Sequence, residues 1–521
     1  MEAAENGEYG APPGCDDRYM QLDREACYRA LQARDRRFDG RFFTAVRTTG
    51  IYCRPICPAR TPRLENVVFY PSATAAQEAG LRPCLRCRPE TSPEIAAWRG
   101  TANTVTRALS LMDQGALDGG RARVSDLALR LGIGERQLRR LFEEHLGASP
   151  VAVAQTRRFL FAKRLIHETH MSMTEVAMAS GFGSLRRFND VFRRRHGRPP
   201  STLRRRAAAG DDTGDSGITL LLGHTGPYDW PAVVDFLAAR AIPGVERVEP
   251  GRYSRTVEVH GQVGTIEVSP APRQAALAAT IRVPAVDALA AIVARVRCVF
   301  DLSADARAIA AHLSRDATLA PLVAERPGLR VPGAWDGFEM AVRAVLGQQV
   351  TVKAARLLCG RLAERYGEPL RAAQAAAAGL SRVFPRPERL AVADLAGLGL
   401  PRARARTLAA LASAAVSDPR LFEPGRDLET SVARLRALPG IGEWTAQYVA
   451  LRALREPDAF PAADVGLQRA TTAPDGRRPS PHELRARAEA WRPWRGYAAQ
   501  HLWTADASRT AVSPPSREQV A

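Results

Sequence analysis

Long apolar runs are missing from this chain of 521 residues. No stretch approaches the roughly 20 consecutive apolar residues that a membrane-spanning helix needs, so no membrane association is expected. The opening MEAAENGEYGAPPG is acidic and lacks the apolar core of a secretory signal. A soluble, cytoplasmic protein is therefore expected. Lysine is nearly absent, with only Lys163 and Lys353. A GC-rich genome produces that arginine bias as readily as selection for bidentate phosphate contacts. Acidic excess is absent too: Lys plus Arg number 74 against 55 Asp plus Glu, a net charge of +19. Such a balance points to a polyanionic partner, nucleic acid or an anionic surface.

At roughly 100–200 residues per domain, the length predicts about three to five domains. Residues 17–93 hold a cysteine cluster and short β-like runs at 42–46 and 66–70. Residues 100–206 have leucines at helical spacing throughout, and AAAGDDTGDSG (207–217) reads as a flexible linker. Strand patterns flanked by helical ones fill 218–300, an α+β order, and 301–508 return to alanine- and leucine-rich helix. Segments 1–16 and 509–521 are expected to be disordered tails.

The helical segment holds one unit twice. VSDLALRLGIGERQLRRLFEEHLGASP (124–150) aligns with MTEVAMASGFGSLRRFNDVFRRRHGRPP (173–200). Each has a short amphipathic helix, a glycine turn (Gly132, Gly181) and a basic second helix, the pattern of a helix-turn-helix. A solvated basic face on a helical bundle would give the same charge but not the duplication. The segment resembles the AraC-type DNA-binding domain. On that likeness Arg136, Arg139, Arg140, Arg186 and Arg187 lie on or beside groove-facing helices.

Cys53-x3-Cys57 and Cys84-x2-Cys87 supply four thiols in two tight pairs, a set suited to tetrahedral Zn²⁺. A purely structural zinc knuckle is the ordinary reading of such a set. The surrounding AVRTTGIYCRPICPAR (45–60), ENVVFY (65–70) and GLRPCLRC (80–87) closely resemble the N-terminal domain of the Ada adaptive-response family. The resemblance implies that one zinc ion is both structural and catalytic. It implies that Cys53 is a ligand that also accepts a methyl group from DNA methylphosphotriesters, with Cys57, Cys84 and Cys87 as the other ligands. Thr49, Arg60 and Arg82 match positions that contact DNA. The thiolate is the nucleophile in such chemistry. Methylation turns it into a neutral thioether, which lowers repulsion toward the phosphate backbone and raises DNA affinity. The family's second methyl-acceptor motif, of PCHR type, is absent.

In the last third, Leu438-Pro439-Gly440-Ile441-Gly442 sits between two helical runs, a helix-hairpin-helix pattern. Gly440 and Gly442 let the backbone approach a phosphate, with amides at the start of the second helix as donors. Asp464 lies twenty residues after Trp444. WDGFEMAVRAVLGQQVTVKAA (335–355), AEAWRPWRGYAAQHLW (488–503) and PYDWPAVVDFLAAR (227–240) resemble the AlkA family of 3-methyladenine DNA glycosylases II. The resemblance implies a TBP-like α+β domain followed by an all-α helix-hairpin-helix glycosylase. Where bifunctional relatives carry a Schiff-base lysine this chain has Trp444, so a monofunctional hydrolase is implied. Asp464 would stabilise an oxocarbenium-like sugar or orient water. Trp444, Tyr448 and Trp494 would wall the flipped base by stacking and cation–π attraction. Gln349 stands where AlkA has a leucine wedge, and an alkali cation is expected at the hairpin.

The fold class expected is thus multidomain and mostly α: a small α+β zinc domain, an all-α double helix-turn-helix, a TBP-like α+β domain and an all-α glycosylase. The expected function is a bacterial, nucleoid-associated alkylation-damage protein. Its partners would be double-stranded DNA (damaged bases, methylated phosphates, promoter sites) and RNA polymerase, with no small-molecule organic cofactor. Two readings compete with it: a regulator whose glycosylase half is inactive, and a glycosylase tethered to DNA by structural zinc.

Overall fold

The computed structural model describes residues 23–94, 101–117, 123–204, 217–272, 274–370, 379–473 and 475–512. The expected N-terminal tail and nearly all of the expected linker lie outside them. The chain divides near residue 212 into two compact units.

The first unit opens with α1 (Arg24–Gln32), capped by Asp23, whose Cys27, Ala30 and Leu31 pack with Phe42, Val67 and Phe69. Strands β1 (Phe43–Val46), β2 (Ile51–Cys53) and β3 (Val67–Tyr70), then α2 (Ala73–Glu78) and β4 (Arg82–Pro83), form a sheet of order β3-β1-β2-β4. The β2–β4 pair is parallel, with Tyr52 opposite Pro83. That register brings Cys53 and Cys84, each one residue further on, side by side.

Six helices follow: α3 (Thr101–Asp113), α4 (Val124–Arg130), α5 (Glu135–Leu146), α6 (Pro150–Glu168), α7 (Met173–Ala179) and α8 (Leu185–His196). The duplication expected from the sequence is present as α4–α5 and α7–α8. Gly132 and Gly181 turn at φ 67° and 74°, a conformation that favours glycine. Leu138, Leu141 and Phe142 on α5, and Phe188 and Phe192 on α8, are buried. The opposite faces are left to arginine.

Polar seams join the sheet region to these helices. Lys163 on α6 is fully buried, with Nζ 2.8 Å from Glu90 Oε2. Arg164 donates to the Glu90 carbonyl at 2.8 Å, and Arg88 reaches Glu168 at 2.9 Å. Burial opposes ionisation of Glu90, but the Lys163 ammonium more than offsets it and holds the carboxyl below its usual range. A second seam runs from Tyr52, whose hydroxyl accepts from Gln77 at 2.8 Å, to Arg195 on α8, which donates to Gln77 Oε1 at 2.5 Å.

The second unit begins with β5 (Ile218–Gly223), α9 (Trp230–Arg240), β6 (Glu246–Glu249), β7 (Arg252–Val259), β8 (Gln262–Pro270), β9 (Ala276–Arg282) and α10 (Leu289–Val299). Its sheet is antiparallel, of order β5-β9-β8-β7-β6. The rest is helical: α11 (Ala306–Leu313), α12 (Leu319–Glu325), α13 (Gly337–Leu346), α14 (Val352–Tyr366), α15 (Pro387–Ala391), α16 (Arg402–Ser417), α17 (Leu428–Arg436), α18 (Glu443–Arg452), α19 (Val465–Ala470), α20 (Pro481–Ala488) and α21 (Arg495–Val512). Ile242 and Val245, beside the sheet, pack in one buried cluster with Leu346, Leu411 and Leu502 of the helical part. Arg255 on β7 and Arg343 on α13 both pair with buried Glu339, at 2.7 and 2.6 Å. The C-terminal boundary needs correction: α21 runs to Val512, into the stretch expected to be a tail.

Candidate metal centre and base-binding site

The strand register described above delivers Cys53 from the end of β2 and Cys84 from just past β4, while Cys57 and Cys87 follow on tight turns. All four are buried, and their sulfurs lie within 4.8 Å of one another. Tetrahedral Zn²⁺ at about 2.3 Å from each sulfur sets sulfurs about 3.8 Å apart, so the donor set fits a zinc ion. As bare thiols they share protons. Hydrogen bonds to Cys57, Cys84 and Cys87 hold Cys53 above its ordinary value, and its bond to Cys53 lowers Cys57 to about 7. Removing every proton from such a cluster calls for a dication among the sulfurs.

The four sulfurs differ in their hydrogen bonds. The backbone N–H of Arg54 donates to Cys87 Sγ at 3.3 Å, that of Ala59 to Cys57, and that of Cys87 to Cys84. Arg54, which the sequence reading passed over, secures the loop. Its guanidinium forks onto Asp39 and donates to the Cys87 carbonyl at 3.2 Å and to Thr91 Oγ1 at 2.7 Å. Thr49, Arg60 and Arg82 are exposed, and so are Arg136, Arg139 and Arg140 on α5 and Arg186 and Arg187 on α8. Arg139 pairs with Glu135 one turn back at 2.6 Å.

In the second unit, Asp464 caps α19 and its carboxylate accepts three N–H groups. Leu467 N donates to Oδ1 at 3.0 Å and Trp503 Nε1 to Oδ1 at 2.9 Å, while Trp444 Nε1 donates to Oδ2 at 2.8 Å. Trp444 and Tyr448, one turn apart on α18, stack with centroids 5.3 Å apart and planes within 5°. Trp503 meets Tyr448 edge-on at 6.1 Å. Behind them the buried Arg452 lies 5.4 Å from the Tyr448 ring and 5.3 Å from that of Trp503. Burial lowers Arg452 to about 10. Burial also opposes ionisation of the Tyr448 phenol, yet Arg452 and Arg240 bring it below its ordinary value.

Trp494 precedes α21, is 4% exposed and packs edge-to-face on His312 at 5.0 Å. Trp503, two turns into α21, is the tryptophan that donates to Asp464 and meets Tyr448 edge-on.

The hairpin joins α17 to α18. Gly440 has φ 79°, and a Cβ there would fall 1.9 Å from Thr407 Oγ1, whereas one at Gly442 would meet nothing within 4 Å. The first glycine is thus required by packing, and the second leaves open space at the start of α18. Gln349, between α13 and α14, is exposed and left-handed at φ 55°. Its neighbour Gln348 ties that loop to the hairpin, donating to Gly440 O at 3.1 Å and Thr445 Oγ1 at 3.0 Å. No sequence signal separated these two glutamines.

Four family descriptions match the chain in order. "Metal binding domain of Ada" covers residues 26–90, "Helix-turn-helix domain" 127–206, "AlkA N-terminal domain" 219–336 and "HhH-GPD superfamily base excision DNA repair protein" 342–496. They define a class: a metal-binding, DNA-binding protein with a base-excision fold. The probable bifunctional transcriptional activator/DNA repair enzyme AlkA of Mycobacterium tuberculosis (strain ATCC 25618 / H37Rv) is 42% identical over 491 residues, spanning 93% of this chain and 97% of that protein. DNA-3-methyladenine glycosylase 2 of Escherichia coli (strain K12) is 36% identical over 290 residues, 53% of this chain and 94% of the relative. The bifunctional transcriptional activator/DNA repair enzyme Ada of the same organism is 39% identical over 138 residues, 26% and 36% respectively. The chain belongs to the family of bifunctional transcriptional activator/DNA repair enzymes in which an Ada-type metal-binding half is fused to an AlkA-type half.

Proposed function

We propose that the chain senses and repairs alkylated DNA with two independent centres. Bound zinc keeps the four cysteines deprotonated at neutral pH. The Cys53 sulfur then attacks the methyl carbon of a DNA methylphosphotriester in line. An S–C bond forms, the C–O bond breaks, and the phosphodiester leaves as the anion. Cys53 becomes a thioether and the turnover ends there. One negative charge is lost from the face flanked by Thr49, Arg60 and Arg82, so DNA is held more tightly. The α5 and α8 arginines then read a promoter, and RNA polymerase is recruited.

The second centre hydrolyses the N-glycosidic bond of 3-methyladenine-type bases. Gly440 and Gly442 grip the phosphate backbone, Gln349 fills the gap left by the flipped nucleotide, and Trp444, Tyr448 and Trp503 enclose the base. A cationic base leaves readily, so the demand falls on Asp464, whose charge stabilises the developing oxocarbenium ion. The observation that carries this reading is the Asp464 carboxylate held by two indole N–H groups beside a stacked aromatic pair.

The test is incubation with methylated duplex DNA, with mass spectrometry of the protein and analysis of released bases. One added methyl on Cys53 together with free 3-methyladenine is expected. Free base without protein methylation would make the zinc half a tether. Methylation without free base would make the second half inactive.

A further inference from the structure

The helix capped by Asp464, α19, has glycine as its second residue. A Cβ at Gly466 would lie 3.0 Å from Asp464 Oδ1, 3.3 Å from Asp506 Oδ2 and 3.4 Å from Trp503 Cδ1. A second carboxylate therefore stands across one missing methyl group from the first. Trp503 and Asp506 are three residues apart on α21 and so share a face. One helix face presents a neutral donor to Asp464 and an anion beside it.

The neighbouring cation is Arg469. It forks onto Asp506, Nε to Oδ1 at 3.1 Å and Nη2 to Oδ2 at 2.6 Å. Arg469 lies one turn beyond Gly466 on α19, and helical side chains lean toward the N-terminus, here toward Asp464. Gly466 itself puts no side chain between that guanidinium and the Asp464 carboxylate. Arg469 is held above its ordinary value first by its bond to Asp506, and Asp464 adds to the shift. Every donor to Asp464, by contrast, is a neutral N–H. Two carboxylates thus compete for one guanidinium, and only one of them holds it.

We propose that Asp506 is a positioning residue for base excision: its fork on Arg469 keeps that cation off Asp464, which stays unpaired and negative toward the flipped nucleotide. The inference rests on the glycosylase reading above. It explains why an exposed arginine can sit five residues from the reacting carboxylate without quenching it. Asp506 makes no contact with the base and acts only through Arg469.

Single-turnover release of methylated purines from dimethyl-sulfate-treated duplex DNA tests it, using the full-length wild type, Asp506→Asn, Arg469→Gln and the double variant. Asp506→Asn is expected to slow release by about tenfold or more as Arg469 swings to Asp464, and removing Arg469 as well should restore the rate to within about threefold of wild type. Arg469→Gln alone removes a cation from beside both carboxylates, so the acidic limb of its pH–rate profile should move to higher pH. An Asp506→Asn variant at the wild-type rate overturns the proposal. So does a double variant as slow as Asp506→Asn, which would mean that Asp506 serves only the packing of α21. A wild-type chain that releases no base sinks the glycosylase reading and this one together, whereas base release with an indifferent Asp506 sinks only this one.

Discussion

Trp444 donates its indole N–H to Asp464 Oδ2 at 2.8 Å, which ties the start of α18 to the carboxylate proposed to react. Its ring stacks on Tyr448 at the same time. Asp464→Asn keeps the shape and one acceptor but loses the charge. Base release should fall below detection while Cys53 methylation proceeds at the wild-type rate, because the two centres share no residue. Loss of both activities in this variant would count against independent centres.

Trp503→Phe keeps an aromatic wall and deletes one N–H donor. A hydrogen bond to a charged group is worth about 1.5–3 kcal/mol, so excision should slow by about 10- to 150-fold with DNA affinity little changed. Trp494→Phe should leave the excision rate near wild type and lower the melting temperature instead. Equal losses of rate in the two variants would put both tryptophans at the wall.

Gly440→Ala forces a side chain into left-handed backbone and onto Thr407. The cost should be at least about 2 kcal/mol, read as a lower melting temperature and weaker binding to undamaged duplex. Gly442→Ala meets no protein atom. It should keep its stability and lose DNA affinity alone, if a phosphate occupies that opening.

Lys163→Met leaves Glu90 buried without its ammonium and should destabilise the first unit by about 3–5 kcal/mol, with Glu90→Gln in the same chain recovering much of it. Because the folded-state pKa of Glu90 lies below its ordinary 4.5, the pair's contribution is complete above that value. It is lost as pH falls through the lower folded value. Denaturant titrations of the wild type between pH 6 and 3 should show the loss, and the double variant should not.

The sequence was most legible where chemistry is tied to spacing. Cys53, Cys57, Cys84 and Cys87 are named by their two short intervals, and Asp464 with Trp444 by the hairpin and the interval that separates the two. Helix-turn-helix duplication was visible because Gly132 and Gly181 must turn with positive φ. The tryptophans near the start of α21 show the opposite case. Trp491, Trp494 and Trp503 lie within one short stretch, and which of them faces Asp464 depends on where α21 begins and on its rotation, which periodicity in an alanine-rich helix leaves open. Strands β2 and β4, at 3 and 2 residues, are too short to show alternation and exist because Ile51 and Tyr52 pair across to Arg82 and Pro83. Gln348, Arg54 and Asp506 act through contacts 97, 33 and 37 residues away, and no local pattern encodes such pairings.

The shortage of lysine gives the molecule a handle. Lys163 is sealed in its ion pair, with no side-chain surface, and Lys353 is exposed in the first turn of α14, four residues from Gln349. Amine-selective reagents should therefore attach at Lys353 in the folded protein, besides the chain's own α-amine. A fluorophore placed there would report on the loop proposed to enter the duplex, with no residue needing to be engineered.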